Sequence, residues 1–192
     1  MAKARSRLEN RAEIILDAAE ALLRRSGSRT LTIDAVAAEA GLSKGGVLHH
    51  YASKDALVTA LAARKVERLR AGIAEHAGAL ASSPARMPLA MIGHAREVYA
   101  EECGFPDSLL IATAENADAQ AGFRAFLAES LRDLAGLETR PGAGAAFLFA
   151  ILGLMMSRSL GFHDLDGADL DRLFGALEAQ ARALPAPDAP ES

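Results

Sequence analysis

Between residues 32 and 54 the chain sets hydroxyls, cations and slim backbone positions at spacings that suit a polyanion. Thr32 precedes Ile33-Asp34-Ala35-Val36-Ala37-Ala38-Glu39, Ser43 precedes Lys44-Gly45-Gly46-Val47-Leu48-His49-His50, and Ser53 precedes Lys54. A hydroxyl residue ahead of a helix caps it, and the free amides of the first turn accept a phosphate. Thr32 and Lys54 therefore read as two phosphate anchors. Between them, Lys44-Gly45-Gly46 opens a second helix with one cation and almost no bulk, and His49 and His50 project beside Tyr51. A slim helix carrying donors is what the DNA major groove admits. The chemistry is ion pairing and hydrogen bonding rather than bond breaking. A tight helix pair without a nucleic-acid role shares the bare pattern, and the two flanking anchors argue against it.

The elements that must hold these groups follow from periodicity. Ile33, Val36 and Ala37 recur at helical spacing, and Gly41 supplies the positive φ that turns the chain, giving a helix-turn-helix over residues 32–51. Upstream, Leu8, Ala12, Ile15, Ala19 and Leu22 make one stripe of a first helix, with Glu13, Asp17, Glu20 and Arg24 outside it. It ends at Ser26-Gly27-Ser28, and the basic residues 1–11 read as an unstructured arm. A fourth helix is expected from Lys54 to about Leu80, carrying Leu57, Leu61 and Leu69, with Arg64, Lys65, Arg68 and Arg70 as a solvated face. Ser82-Ser83-Pro84 breaks the pattern. Further helices are expected at about 88–103, stopped by Gly104-Phe105-Pro106, then at 107–119 and 121–136. After Pro141-Gly142, residues 143–156 form an apolar run of fourteen, short of the roughly 20 needed to cross a membrane. A helix of that kind is buried on several sides. The last helix starts at Asp166 or Gly167, and its stripe of Leu170, Leu173, Phe174, Leu177, Ala181 and Leu184 is expected to join that run in a subunit interface. The Pro-rich end, 185–192, cannot stay helical.

The stretch from about residue 11 to residue 61 resembles the TetR family of one-component transcriptional regulators. The resemblance rests on the Thr32 opening, Ala37, the Ala40-Gly41-Leu42-Ser43 turn, and Tyr51-Ala52-Ser53-Lys54-Asp55-Ala56-Leu57. It implies that Lys44, Gly45, Gly46 and His49 face bases, while Thr32, His50 and Lys54 face phosphates. Gly46 stands where the family often has Thr, and Leu48 where Tyr is usual; Leu48 is left to pack or to touch a thymine methyl. Beyond about residue 65 the likeness is one of helix count and layout. The resemblance further implies a homodimer that binds a double-stranded, palindromic operator and is released from it by a small-molecule effector.

Charge divides the chain as such a protein requires. Residues 1–70 hold thirteen Lys and Arg against eight Asp and Glu, a net of +5, whereas the remainder holds eight against seventeen, a net of −9. A basic head on an acidic body directs nucleic acid to one end. Cys103 is the single cysteine, which excludes an intrachain disulfide framework and accords with a cytoplasmic setting. His49, His50, His76, His94 and His163 lack metal-site spacing, so neither a metal nor a cofactor is expected. Cys103 and His94 lack a third orienting group, so no catalytic residues are expected.

One stripe of the fifth helix combines Leu89, Ile92, Arg96, Tyr99 and Cys103. Arg96 either pairs with an acid or snorkels, or it points into an effector cavity. In the second case Tyr99, Thr113, Asn116, Met155 and Met156 complete the ligand site. The expected fold is all-α: a three-helix helix-turn-helix DNA-binding domain over residues 1–53, a helical effector-binding and dimerisation domain over 54–184, and a disordered tail. The alternative is a helical small-molecule carrier or enzyme with a helix-turn-helix-like end.

Overall fold

The computed structural model describes residues 2–100, 107–114 and 116–185, and in them the chain is all-helical. Backbone contacts divide it into two compact units, one of residues 1–65 and 106–123, the other of 66–105 and 124–192.

The first unit is built on α1 (Ala2–Ser26), α2 (Ile33–Glu39), α3 (Lys44–His50) and the first half of α4 (Lys54–Ala79). From α1, Ile15, Ala19 and Leu22 enter the core, as the stripe predicted, and Leu16 and Leu23, outside that stripe, join them. There they meet Val36, Ala37, Val47, Leu57, Val58 and Leu61. Gly27, at φ 77°, releases the chain from α1 into a short turn, Ser28–Thr30. After α5 (Arg86–Ala100), the chain returns to this unit with α6 (Asp107–Ala114) and the start of α7 (Ala117–Leu137), adding Leu109 and Ala119.

Three expectations change here. Residues 2–11 are not an arm but the opening turns of α1. The helices expected at 107–119 and 121–136 divide earlier, because Asn116 caps α7: its Oδ1 accepts the Ala119 amide at 2.9 Å. The third change concerns the basic face of α4. Arg64 is not solvated; its side chain is 11% exposed and reaches back to α1. Its Nε donates to Glu20 at 3.0 Å, and its Nη1 donates to Asp17 at 2.7 Å and to Glu13 at 3.1 Å. Burial works against the guanidinium charge, but the hydrogen bonds it donates to Glu20 and Asp17 hold its pKa above the ordinary value. Glu20, expected outside the core stripe, is buried with it. The expected end of the fifth helix at Cys103, its stop at 104–106 and the tail at 186–192 lie outside the described residues.

The second unit packs α5 and the later part of α7 against α8 (Ala143–Ser159) and α9 (Gly167–Ala183). Met91, Ile92, Ala95 and Tyr99 meet Leu134, Phe147, Leu148, Ile151 and Leu154. Glu138 caps α8 by accepting the amides of Gly142 and Gly144 at 2.7 and 2.6 Å. A Cβ at Gly144 would lie 2.8 Å from the Leu134 Cβ, so glycine there permits α7 and α8 to approach closely. The α9 stripe is a further correction. Phe174, Leu177, Ala181 and Leu184 are buried in this unit's own core, with Leu170 and Leu173 packed against it. They are covered without a second subunit. On α8, by contrast, Phe149 and Met156 are 53% and 46% exposed, and with the exposed Ala146, Ala150 and Gly153 they share one helical face.

Candidate nucleic-acid interface

The α2–turn–α3 unit is assembled by local chemistry. Thr32 is extended, and its Oγ1 accepts the Ala35 amide at 3.1 Å, fixing the start of α2. At the other end Gly41 adopts φ 64°. The Leu42 amide then donates to Ala37 O at 2.9 Å and the Gly41 amide to Ala38 O at 3.3 Å, a Schellman closure. Ser43 repeats the cap for α3, its Oγ accepting the Gly46 amide at 3.1 Å. Ser53 does so for α4, accepting the Ala56 amide at 3.0 Å. The two caps expected at Thr32 and Ser43 are present.

Val47, fully buried, anchors α3 from below. Tyr51 ends that helix, and its hydroxyl donates to Ala12 O of α1 at 3.4 Å. Burial, then the neighbouring Glu13, pushes the Tyr51 phenol up, so it stays protonated and able to donate. With one side of α3 held in this way, Lys44, Gly45, Leu48 and His49 form the opposite, exposed face. His50 is half-buried on its flank, its ring 5.5 Å from that of His49 and edge-on to it. Lys54 is exposed at the start of α4. Among the described residues a Cβ at Gly45 would meet nothing within 4 Å, so no packing constraint among them explains the glycine. At Gly46 a Cβ would lie 3.3 Å from Ser43 Oγ, against the cap itself.

One feature of this face was not anticipated: the Lys44 ammonium is 3.0 Å from Asp34 Oδ2, in an ion pair exposed on both sides. Of the two readings of Leu48, the structure gives the outward one, 37% exposed rather than packed. The Asp34 contact joins residues ten apart across the turn, which periodicity does not report. On the far end of α2, Arg25 grips Glu39 through two hydrogen bonds of 3.2 and 2.7 Å and holds that carboxyl below its usual range.

The residues considered for an effector site are divided between the two units. Thr113, which is buried, and Asn116 belong to the first. Asn116 is occupied in capping α7, and its Nδ2 donates to Asp55 O at 3.0 Å. Arg96, Tyr99, Met155 and Met156 belong to the second. Tyr99 is 1% exposed; its hydroxyl donates to Leu165 O at 2.8 Å, and the Arg158 guanidinium lies 3.8 Å from its ring centroid. Arg96 is half-exposed and lies 4.9 Å from the Phe174 ring centroid, with Glu178 at 3.8 Å and Asp171 at 4.0 Å. Arg96 and Tyr99 thus meet on Phe174, where the arginine is stacked and flanked by acids.

Comparison with known proteins bears on this geometry. Residues 15–61 match the bacterial regulatory proteins of the TetR family. A TetR-family transcriptional regulator from Streptomyces coelicolor superposes with a TM-score of 0.71 at 19% identity, over 92% of this chain and 97% of that one. The multidrug binding protein EbrR, complexed with imidazole, gives a TM-score of 0.67 at 22% identity, over 94% and 93% of the two chains. A transcriptional regulator from Rhodococcus sp. RHA1 gives 0.66 at 21% identity, over 90% and 95%. A comparison with curated proteins returns no sequence match. The structural likenesses, all below 25% identity, establish the shared all-helical fold. The match over residues 15–61 falls on the capped helix-turn-helix described above, and over those residues the chain is similar to the bacterial regulatory proteins of the TetR family.

Proposed function

We propose that the chain is a homodimeric, ligand-responsive repressor acting on DNA in the cytoplasm, with residues 1–53 as its DNA-binding part and 54–184 as its effector and dimerisation part. The observation that carries the reading is the exposed face of α3. Lys44, Gly45 and His49 stand outward with Leu48, while Val47 and Tyr51 secure the helix from behind. Lys44 and His49 read base edges, Gly45 and Gly46 let the backbone approach, and Leu48 meets a thymine methyl. Thr32, His50 and Lys54 hold the flanking phosphates, which position the helix without reading sequence.

The exposed α8 stripe of Ala146, Phe149, Ala150, Gly153 and Met156 supports the dimer, since an apolar helical face of this length is costly in water. On α9 the face away from the core carries Gly175, Ala176, Ala179 and Ala183, small enough for a partner helix to come close. A two-fold dimer would set two recognition helices about 34–36 Å apart and require a near-palindromic operator. An effector that binds better to a differently spaced form would lower DNA affinity by population shift. EbrR, a multidrug binding protein of similar fold, makes a small organic molecule a reasonable effector class. Arg96 and Tyr99 on α5 and Met155 and Met156 on α8 are the residues by which such a ligand would be sought; Thr113 and Asn116 are already committed to the packing and capping of the first unit.

The test is footprinting on the DNA upstream of the chain's own gene, followed by anisotropy titration at two salt concentrations. Protection of two half-sites one helical turn apart, with log affinity falling steeply with log salt, is the expected result. Protection of a single half-site, or affinity indifferent to salt, would refute the reading.

A further inference from the structure

We propose that His76, His94 and Glu97 form a binding site for a divalent transition-metal ion of the zinc class. His76 lies on α4, and His94 and Glu97 lie one turn apart on α5, all within the second unit. The His76 Nε2 is 3.0 Å from Glu97 Oε2, and the His94 Nδ1 is 3.7 Å from the same oxygen. One ligand atom from each of the three lies within 4.8 Å of the others. Ligands around tetrahedral zinc, bound at about 2.0–2.1 Å, are separated by roughly 3.3 Å. The separations on Glu97 bracket that value. Its carboxylate is 61% exposed and can rotate to complete the fit.

The rings are held in place by the backbone opposite. A Cβ on Gly72 of α4 would lie 2.2 Å from the His94 Cε1, and a Cβ on Gly93 of α5 would lie 2.7 Å from the His76 Nδ1. Each imidazole therefore occupies a recess that only glycine provides, and the two recesses are reciprocal across the α4–α5 contact. Glycine inside a helix is unfavourable relative to alanine, so two of them facing two histidines call for a reason beyond helix packing. The ring centroids are 6.0 Å apart, and one nitrogen of each ring lies within 4 Å of the same carboxylate oxygen. A hydrogen bond between one histidine and one glutamate would need neither the second ring nor the second recess.

The donor set selects the ion. Two imidazoles and one carboxylate suit zinc, nickel, copper or cobalt, whereas magnesium and calcium prefer oxygen alone. Three protein ligands leave a fourth position for water, on the side where His76 and Glu97 reach solvent. An ion here would tie α4 to α5. Sequence inspection could not find this site, because its ligands come from two helices and only His94 and Glu97 have local spacing.

The test uses tag-free full-length protein titrated with Co2+ and then Zn2+, alongside His76→Gln, Glu97→Gln and a His163→Gln control. The expected result is one Co2+ per chain with the intense visible bands of four-coordinate cobalt, displaced by Zn2+, and a melting temperature that rises with Zn2+. His76→Gln and Glu97→Gln should weaken affinity at least tenfold and lose the metal-dependent rise while melting normally without metal; His163→Gln should behave as wild type. If a variant unfolds, Gly72→Ala, which displaces the His94 ring, must abolish the cobalt bands. Absence of saturable binding at micromolar protein, a six-coordinate spectrum, or binding that survives both His76→Gln and Gly72→Ala would overturn the proposal.

Discussion

Replacing Asp34 by Asn should make the protein bind DNA more tightly while making it slightly less stable. Asp34 sits in the first turn of α2 and holds the Lys44 ammonium at 3.0 Å. Lys44 must leave this partner before it can reach a base edge or phosphate. An ion pair exposed on both sides is worth about 0.2–1 kcal/mol, which is the cost of the release. The carboxylate also repels the DNA. Two like charges about 4 Å apart in water interact by about 1 kcal/mol, falling away beyond a Debye length of about 8 Å at physiological salt. Adding the release to a partly screened repulsion gives roughly 0.5–1.4 kcal/mol, or about a two- to tenfold gain in affinity. The stability effect has the other sign. An acid in the first turn of a helix contributes about 0.3–1 kcal/mol through the helix dipole, and Asn forfeits it.

Glu39→Gln is the control, because it removes the same charge from the same helix but frees Arg25 rather than Lys44. Anisotropy titrations of both variants against one operator duplex, at about 50 and 200 mM salt, would separate the effects. Asp34→Asn should exceed Glu39→Gln at both salts. Equal gains would mean that only net charge matters, and an unchanged or weaker Asp34→Asn would falsify the outward, groove-facing role of Lys44.

Lys54→Ala should weaken binding to operator and random DNA by similar factors and reduce the salt slope by about one, read from titrations over a salt series. Arg64→Ala should cost about 2–4 kcal/mol of stability in urea melts, because the buried Glu20 loses its buried cation and keeps only the half-exposed Arg24 at 3.7 Å; the paired change Arg64→Met with Glu20→Leu should recover most of that loss, and failure to do so would show that the α1–α4 network is not what the arginine supports. Phe149→Glu should yield folded monomers in ultracentrifugation, whereas Leu177→Asp, placed in the unit's own core, should abolish cooperative melting; a dimeric Phe149→Glu protein would move the interface elsewhere.

What could be read from the residues, and what could not, divides along the range of the interactions. Thr32, Ser43 and Ser53 cap helices three residues away, and Gly41 turns the chain within its own loop, so residue type at one position nearly determines the outcome. The helix-turn-helix was legible for that reason. Arg64 was misread because its partners lie 44 to 51 residues away on α1, and a cation on a helix looks the same whether it meets solvent or three carboxylates. The α9 stripe illustrates a second limit. Periodicity says that Phe174, Leu177 and Ala181 are buried, but not against what; α5 and α8 of the same chain cover them. The surface left over is then the informative one. On α8, which is apolar on every side, no periodicity separates the inner Phe147 and Ile151 from the outer Phe149 and Met156. Only the fold draws that line, and it transfers the assembly argument from the side chains of α9 to the outer face of α8.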